Sequence, residues 1–283
     1  MKAMLLAAGR GERMRPLTDA HPKPLLKAGG KPLIVWHLEK LAAAGFTDVV
    51  INNAWLGEQI PATLGDGSAF GLRLHHSAEG EALETAGGIA RALGLLTEGE
   101  PDNAPFVVIS SDVWSDADYT QFAQVGERLQ AGEGDCWCLM VDNPPHHPEG
   151  DFGVAGGRLW LKPDAPTAPT LTPASPEGAA GTESPANAPD SGQTPDPASG
   201  MALAASAGDG APADMQMLTY SGIGVYTPAM FCHITAGTRS PLRPWLGLAI
   251  ESERALAAHH PGQWFDIGTP ARLAELDARL MAR

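Results

Sequence analysis

Cysteines, basic residues and long apolar runs are scarce in this chain of 283 residues. Three cysteines are too few for a disulfide framework, and we expect them to be small buried side chains. The 19 lysines and arginines stand against 33 aspartates and glutamates, and this net charge of −14 excludes the broad basic surface of nucleic-acid-binding proteins. No apolar run approaches the roughly 20 residues of a membrane helix, and the first residues lack a full signal-peptide region. We therefore expect a cytoplasmic protein with no nucleic-acid and no membrane partner.

Hydrophobic residues make up 43% of the chain and charged residues 18%, which is typical of a folded domain with a sizeable core. Ten of the 25 prolines fall within 163–214, a stretch without aromatic residues, lysine or arginine. Such a stretch cannot bury enough apolar surface to offset the entropy of ordering it. We expect one domain over 1–283 with a disordered insertion at 163–214, either a lengthened surface loop or a partner-binding segment.

Short runs rich in valine, isoleucine and leucine alternate with longer segments of helical periodicity. This alternation is typical of a mostly parallel sheet covered by helices, and it predicts an α/β fold. The predicted strands cover residues 3–7, 48–52, 73–77, 106–110, 135–141, 218–226 and 263–267. The predicted helices cover residues 32–44, 85–96, 119–130, 247–258 and 270–281.

The loop after the first predicted strand carries two glycines, Gly9 and Gly11, and a concentration of positive charge. Ligands of open α/β sheets bind beyond the carboxyl ends of the strands, which makes this loop the first candidate site. Glycines let the backbone approach a ligand closely and turn its N–H groups toward an anion. Six of the 19 basic residues fall within 22 positions that hold two acids: Arg10, Arg13, Arg15, Lys23, Lys27 and Lys31. On an acidic chain, this surplus indicates a site for a small polyanion such as a triphosphate.

Two known glycine-loop motifs do not fit this sequence. The dinucleotide-binding motif requires a third glycine where the chain has Met14, and the P-loop requires Lys-Ser/Thr where it has Glu12-Arg13. NAD binding and a Walker-type ATPase are therefore disfavoured. The loop alone also fits a glycine-rich turn with solvated arginines, and it is Lys23 within Pro-Lys-Pro that favours a binding site.

The loop and this downstream lysine resemble the signature of the sugar-1-phosphate nucleotidyltransferase family. The matching residues are Leu5-Leu6-Ala7-Ala8-Gly9-Arg10-Gly11-Glu12-Arg13-Met14-Arg15-Pro16-Leu17-Thr18 and Pro22-Lys23-Pro24-Leu25. The similarity continues through 79–88, 111–112, 143–144, 150–153, 221–224 and 264–270, and so covers nearly the whole chain outside the insertion. Within the family, the motifs are most similar to those of the N-acetylmuramate-1-phosphate uridylyltransferases.

This resemblance implies a three-layer Rossmann-like nucleotidyltransferase fold with a central mixed β-sheet, a nucleotide-binding half over 1–143 and a sugar-binding part over 144–283. It implies that the protein transfers a nucleotidyl group from a nucleoside triphosphate to a sugar 1-phosphate. The favoured substrates are UTP and N-acetylmuramic acid 1-phosphate, a pair that belongs to cell-wall recycling. The catalytic residues that it implies are Lys23 and Arg13. The implied nucleotide-binding residues are Ala8, Gly9, Gly11, Glu79 and Gly80, and the implied sugar-binding residues are Glu84, Gly87, Gly153 and Ser221.

Two aspartates lie where predicted strands end: Asp112 follows the strand at 106–110, and Asp266 lies at the end of the last strand. Mg²⁺ takes one or two carboxylates together with phosphate oxygens and water, so two acids from separate strands suffice. From the spacing alone, Asp112 could equally cap a turn and Asp266 the helix after it. The resemblance assigns both to Mg²⁺, which is the expected cofactor.

Several alternatives stay open. Glu84 also suits a helix start, and Gly153 also suits a strand or bulge. Residues 161–163 read Leu-Lys-Pro where many family members have Glu-Lys-Pro, so guanylyl transfer to mannose 1-phosphate and thymidylyl transfer to glucose 1-phosphate remain candidates. A non-catalytic nucleotide-sensing subunit is the alternative from another class.

Two further motifs suggest metal binding. Asp116-Ala-Asp118 matches a motif of metal-dependent glycosyltransferases, but it lies past the expected strand end and is predicted to cap the helix from 119. Histidine doublets occur at 75–76, 146–147 and 259–260. Because neighbours on a strand point to opposite faces, we expect ordinary histidines there.

Overall fold

The computed structural model of the protein describes residues 1–162 and 212–282. The strands are β1 (Ala3–Leu6), β2 (Lys27–Ala28), β3 (Lys31–Pro32), β4 (Asp48–Asn53), β5 (Arg73–Ala78), β6 (Phe106–Ser110), β7 (Val113–Ser115), β8 (Cys136–Val141), β9 (Phe152–Ala155), β10 (Arg158–Trp160), β11 (Gln216–Tyr226), β12 (Ala255–His260) and β13 (Trp264–Asp266). The helices are α1 (Leu17–Ala20), α2 (Leu33–Ala43), α3 (Gln59–Leu64), α4 (Glu84–Thr97), α5 (Gln121–Gln130), α6 (Arg243–Glu251) and α7 (Pro270–Met281). The predicted insertion at 163–214 lies outside the described residues except for its last three.

Nine strands form one mixed sheet in the order β5-β4-β1-β6-β11-β8-β12-β10-β9. The first four run parallel, and Leu5 of β1 lies opposite Ile51 of β4 and Ile109 of β6. β11 runs antiparallel to β6 and β8, and β8 pairs in parallel with β12. β1 therefore lies inside the sheet, and its loop leaves from the edge where β4 and β6 also end.

Helices cover both faces of this sheet, because successive residues of each strand point to opposite sides. In β1, Leu5 belongs to the buried cluster that contains Leu38 of α2 and Phe122 of α5. Its neighbour Met4 belongs to the cluster on the other face, with Ile89 of α4 and Leu246 of α6. The resulting three layers around a mixed sheet confirm the predicted fold class. Among the described residues, no helix has the length and apolar character needed to cross a bilayer.

An antiparallel ribbon of β7 and β13 lies outside the main sheet, with Asp266 opposite Val113. Trp114 of β7 and Ile267 share a third buried cluster with Leu276 of α7. The ribbon joins the chain segment after β6 to the last strand of the protein. It is this connection that brings two regions distant in sequence to one end of the sheet.

The prediction of a helix at 247–258 is wrong. α6 ends at Glu251, Glu253 adopts a left-handed backbone conformation with φ 56°, and the chain continues as β12. Alanines favour helix, but here Ala255–His260 pairs along the buried strand β8, so tertiary packing overrides propensity. The other predicted strands and helices are present, with ends displaced by at most two residues. Two cysteines, Cys136 and Cys138, are buried as predicted, whereas Cys232 is exposed.

Candidate active site

The loop after β1 folds around the short turn that carries Lys23. Its start is held by the neighbouring strand, because the Ala7 N–H donates to Oδ1 of Asn52 at 2.7 Å. Farther along, Thr18 Oγ1 donates to the Gly11 carbonyl at 2.9 Å. Gly11 has a φ of 67°, and a Cβ there would lie 3.3 Å from Cβ of Lys23. Glycine therefore serves both the left-handed turn and the close approach of the lysine.

Lys23 directs its side chain inward, toward the end of β6. It begins a short 3-10 turn, and its side chain is 10% exposed. Its Nζ lies 2.6 Å from Oδ2 of Asp112, the second residue after β6, whose side chain is 40% exposed. A buried ammonium group requires such a partner, since a buried unpaired charge is strongly destabilising. The pairing leaves the Asp112 carboxylate partly open to the space in front of it.

Asp266 is brought beside Asp112 by the β7–β13 ribbon, in which the Ile267 N–H donates to the Asp112 carbonyl at 2.9 Å. Its Oδ2 lies 2.5 Å from Nη1 of Arg272 in α7 and 3.5 Å from Nε2 of His146. Within residues 1–162 and 212–282, Oδ1 of either aspartate has no hydrogen-bond or ion-pair partner. The two predicted metal ligands thus lie on neighbouring backbone segments, each with one oxygen available.

A cavity of about 290 Å³, which we call the loop cavity, opens at the carboxyl ends of β1 and β6. Backbone N–H groups and a cation at this edge of a parallel sheet form a suitable environment for phosphate groups. Its wall includes Ala8, Gly9, Lys23, Glu79, Asp112 and Arg239.

A second cavity of about 530 Å³, which we call the strand cavity, adjoins the first. Asp112 lines the loop cavity and Asp266 the strand cavity, and the hydrogen bond from the Ile267 N–H to the Asp112 carbonyl links these two parts of the wall. This arrangement can hold two ligands that react where the cavities meet. Leu6, Thr85 and Ser110 line both cavities, and the wall of the second includes His146, Phe152, Ser221, Arg243, Trp264 and Asp266.

Glu79 shapes the loop cavity with both carboxylate oxygens already engaged. Oε1 accepts from Nδ2 of Asn52 at 2.6 Å, and Oε2 accepts from the Leu83 N–H at 3.0 Å. Glu79 therefore ties β4 to the start of α4. Of the predicted nucleotide-binding residues, Ala8, Gly9 and Glu79 line the loop cavity, and Gly11 and Gly80 lie outside its wall.

Two of the predicted sugar-binding residues lie in different cavities. Ser221 lines the strand cavity, where its carbonyl accepts from Nε1 of Trp264 at 2.9 Å. Glu84 lines the loop cavity and lies 2.6 Å from Nη2 of Arg239. Its φ of 60° is unusual for a residue with a side chain. Glu84 thus begins α4, which is the alternative role considered for it, and also contributes negative charge at the loop cavity.

The other two predicted sugar-binding residues, Gly87 and Gly153, lie outside the walls of both cavities. A Cβ at Gly87 would overlap the Thr238 carbonyl oxygen, and a Cβ at Gly153 would overlap the sulfur of Met215. Each glycine therefore permits a close approach between chain segments. In the structure, these two positions serve packing around the site.

Arg13 lies in an exposed 3-10 turn, outside the walls of both cavities. Its neighbours have local partners: Arg15 Nε lies 2.8 Å from Asp19, and the Arg10 guanidinium stacks 3.5 Å from the centroid of the Trp55 ring. Of the six basic residues in this stretch, Lys23 is the one that lines the loop cavity. The catalytic role of Arg13 stays a prediction.

A buried histidine supports the segment that carries Asp112. Nε2 of His37 lies 2.8 Å from the Val113 carbonyl, and Nδ1 lies 2.8 Å from the Tyr119 hydroxyl. Burial lowers the pKa of His37 to about 4, so the ring is neutral at pH 7. Because Val113 directly follows Asp112, this contact fixes the backbone beside the carboxylate.

The other suggestive motifs have structural partners. Asp118 accepts from the Thr120 N–H at 2.9 Å and caps the turn before α5, which begins two residues later than predicted. Asp116 lies 2.8 Å from Nε2 of His260. Over the described ranges, no group of three His, Cys, Asp or Glu side chains suits a metal ion. Both members of the 146–147 doublet line the strand cavity, where His146 lies beside Asp266 and His147 beside Asp151.

Three residues of the site, Asn52, His146 and Arg239, were not expected from the sequence. Asn52 lies near the carboxyl end of a buried strand, and the reasoning that selected Asp112 also applies to it. His146 and Arg239 lie in irregular segments, where no periodic pattern predicts which way a side chain points.

Known proteins resemble this chain over different parts of its length. The family model described as nucleotidyl transferase matches residues 2–158. The N-acetylmuramate alpha-1-phosphate uridylyltransferase of Neisseria meningitidis is 42% identical over 280 residues, which cover 98% of this chain and 97% of that enzyme. The mannose-1-phosphate guanyltransferase of Kluyveromyces lactis is 38% identical over 145 residues, which cover 51% of this chain and 39% of that enzyme.

The fold also has solved counterparts. A Bacillus anthracis protein described as a glucose-1-phosphate thymidylyltransferase superposes with a TM-score of 0.69 over 100% of this chain and 96% of that one, at 19% identity. At this identity the likeness concerns the fold, which is the Rossmann-like fold that the sequence predicts. Since the family model matches more than half of the residues and a relative at 42% identity matches nearly end to end, the chain belongs to the nucleotidyl transferase family.

Proposed function

We propose that the protein transfers the uridylyl group of UTP to N-acetylmuramic acid 1-phosphate, forming UDP-N-acetylmuramic acid and pyrophosphate. The observation that carries the proposal is the 42% identity to the Neisseria uridylyltransferase over 98% of this chain. The match to the guanyltransferase covers 51% of the chain. The full-length match thus includes the second half of the chain, which supplies most of the strand cavity.

In this reaction, a phosphate oxygen of the sugar 1-phosphate forms a bond to the α-phosphorus of UTP. The bond from the α-phosphorus to the oxygen that bridges to the β-phosphate breaks, and pyrophosphate leaves with that electron pair. A phosphate monoester has its second pKa near 6 and is largely a dianion at pH 7. The protein therefore has no proton to remove from the nucleophile. It must instead align two anions that repel each other and neutralise charge where they meet.

Lys23 is suited to this role because its ammonium group lies at the wall of the loop cavity with little exposure to water. It meets the α-phosphate and the incoming sugar phosphate, and electrostatic attraction is strongest in a site from which water is excluded. The backbone from Ala8 to Gly11 offers N–H groups to the triphosphate, with Arg13 as a second cation. Ala8, Gly9, Glu79 and Gly80 surround the uracil base.

The sugar phosphate approaches from the strand cavity. Ser221 lines that cavity, and although the residue is fully buried, its Oγ accepts from the Ile223 N–H at 3.2 Å and so fixes the strand at this point of the wall. Glu84 lines the loop cavity next to Thr85, which lines both cavities, while Gly87 and Gly153 allow the surrounding segments to approach closely. The nucleotide thus occupies the part built from 1–143, and the sugar contacts residues from 144–283.

The carboxylates of Asp112 and Asp266 suit Mg²⁺ as the expected cofactor. Mg²⁺ prefers hard oxygen ligands and takes one or two carboxylates alongside phosphate oxygens, and each aspartate has an oxygen without a partner among the described residues. When bound, the ion would neutralise charge on the phosphate oxygens. Lys23 and Arg272 keep the other oxygen of each carboxylate in place.

This function places the protein in the cytoplasm, in the recycling of cell-wall sugars. The free state of Cys136, Cys138 and Cys232 supports a reducing compartment. The relative with the full-length match is named for N-acetylmuramate, a sugar of the cell wall.

Pyrophosphate release tests the proposal. The purified protein is incubated with Mg²⁺, each of four nucleoside triphosphates (UTP, GTP, dTTP and ATP), and the 1-phosphates of N-acetylmuramic acid, mannose and glucose. We expect release with UTP and N-acetylmuramic acid 1-phosphate and its loss on addition of EDTA. Release only with GTP and mannose 1-phosphate, or dTTP and glucose 1-phosphate, would select an alternative transferase. No release with any pair, together with nucleotide binding, would identify a sensing subunit.

A further inference from the structure

One basic side chain in the strand cavity has no acidic partner in the part of the chain that the structure describes. The cavity wall carries two acids: Asp151, whose Oδ1 lies 3.1 Å from His147, and Asp266, paired with Arg272 and His146. Arg243 lines the same wall, and among residues 1–162 and 212–282 it has neither a hydrogen bond nor an ion pair. Its charge is thus available to a ligand of this cavity.

The surroundings of Arg243 orient its guanidinium group. It begins α6, and its Cζ lies 5.5 Å from the centroid of the Phe152 ring, which is itself 4% exposed. Contact with an aromatic face attracts the cation and leaves its N–H edge free. That edge matches the two oxygens of a carboxylate, with which arginine forms paired hydrogen bonds.

Apolar side chains flank this cation in the same cavity. Leu242 and Leu246, on either side of Arg243 along the chain, line the wall and are 8% and 2% exposed. A ligand group that carries a carboxylate and a methyl group together therefore finds a cation and an apolar surface side by side.

N-acetylmuramic acid has such a group, the lactyl ether on its third carbon, whereas glucose, mannose and N-acetylglucosamine lack it. We propose that Arg243 binds the lactyl carboxylate and makes the strand cavity specific for an acidic sugar 1-phosphate. This inference rests on the proposed function. Arg239 is not equivalent, because it lines the loop cavity and its charge is paired with Glu84 at 2.6 Å.

The test compares sugar 1-phosphates with and without this carboxylate. Steady-state kinetics with saturating UTP are measured for wild type, Arg243→Met and Arg243→Lys. The substrates are N-acetylmuramic acid 1-phosphate, its lactyl amide and N-acetylglucosamine 1-phosphate. Arg128→Met is the matched control, because Arg128 is an exposed arginine of α5 that pairs with Glu133 at 2.8 Å. Thermal unfolding of each variant shows that the fold is intact.

We expect Arg243→Met to raise KM for N-acetylmuramic acid 1-phosphate about 10- to 100-fold, as loss of a charge-assisted hydrogen bond does. KM for UTP and for the two neutral sugars should stay within about twofold, and Arg243→Lys should be intermediate because it keeps the charge but not the paired geometry. Wild type should show about the same rise in KM when the lactyl amide replaces the acid as Arg243→Met shows with the acid itself.

An equal loss on all three sugars, or no loss, would overturn the assignment of Arg243 while leaving the uridylyltransferase function in place. Wild-type protein that uses none of the three sugar 1-phosphates would overturn the proposed function, and the role of Arg243 with it. Preference of the wild type for the neutral sugars would exclude carboxylate recognition but leave nucleotidyl transfer intact.

Discussion

Nζ of Lys23 lies 2.6 Å from Oδ2 of Asp112, although the two residues are 89 positions apart in the sequence. The lysine comes from the loop region after β1 and the aspartate from the end of β6, and these strands are neighbours in the parallel part of the sheet. The contact therefore joins the cation-bearing loop to a carboxylate at the carboxyl edge of the sheet. A phosphate group bound there would meet both.

Removal of either member of this pair should abolish most activity. We expect Lys23→Ala and Asp112→Ala each to lower kcat about 100-fold or more, because loss of one charged group that stabilises the transition state costs on the order of 3 kcal/mol. Initial rates of pyrophosphate release measure this effect, and circular dichroism checks the fold. Lys27→Ala and Asp118→Ala, exposed positions outside the cavities, are the controls and should keep full rates. Near-normal rates in the Lys23 or Asp112 variants would contradict the assignment.

Arg272 acts on the reaction through Asp266. Its guanidinium lies 2.5 Å from one carboxylate oxygen and holds that side chain toward the strand cavity. We expect Arg272→Met to lower kcat about tenfold and Arg272→Lys to recover part of the loss, since lysine keeps the charge but not the geometry. Titration of the rate with Mg²⁺ should show a higher half-saturating concentration for the Met variant. An unchanged Mg²⁺ dependence together with an unchanged kcat would exclude this positioning role.

Two glycines of the same helix, Gly87 and Gly94, should respond to alanine in opposite ways. A Cβ at Gly87 would overlap the carbonyl of Thr238, in the segment that presents Arg239, whereas nothing lies within 4 Å of a Cβ at Gly94. We expect Gly87→Ala to destabilise the protein by about 1 to 3 kcal/mol and Gly94→Ala to stabilise it by about 0.5 to 1 kcal/mol. Urea unfolding of the two variants measures both effects. A stabilising Gly87→Ala would show that the 238–240 segment does not pack on α4 in this way.

His37 should make stability depend on pH. Its pKa is about 4 in the folded protein and about 6.5 in an unfolded chain, so between these values the unfolded chain binds a proton that the folded protein does not. Stability therefore falls as the pH is lowered from about 6.5 toward 4. His37→Gln removes this contribution, so its stability deficit relative to wild type should shrink by about 2 kcal/mol between pH 7.5 and 5. Urea unfolding at both pH values checks this, and a deficit independent of pH would contradict burial of a neutral ring.

Much of the sheet could be predicted because its strands are continuous apolar runs between turns. Residues 106–110, for example, form β6 with the predicted bounds. The prediction of a helix over 247–258 failed for a physical reason: residues 255–258 favour helix locally, and their pairing along β8 makes them a strand. Such pairing depends on contacts more than a hundred residues apart, which no local pattern contains.

Site residues that follow a strand could be selected from the sequence. The contacts between them could not, because those contacts depend on how distant segments pack. Lys23 and Asp112 could be selected from motif and position, but their ion pair depends on the order of β1 and β6 in the sheet. The pairing of Asp266 with Arg272 likewise depends on how α7 packs beside the β7–β13 ribbon. For Gly153, the motif indicated sugar binding, whereas the structure shows a close contact between its backbone and Met215.

The ratio of two specificity constants tests the central claim most directly. With Mg²⁺ present, kcat/KM is measured for N-acetylmuramic acid 1-phosphate with UTP and for mannose 1-phosphate with GTP, on the same preparation of the full chain. Uridylyl transfer to the acidic sugar predicts that the first constant exceeds the second by about 100-fold or more, a difference of about 2.7 kcal/mol in transition-state binding. Equal constants, or a larger value for GTP with mannose 1-phosphate, would contradict it.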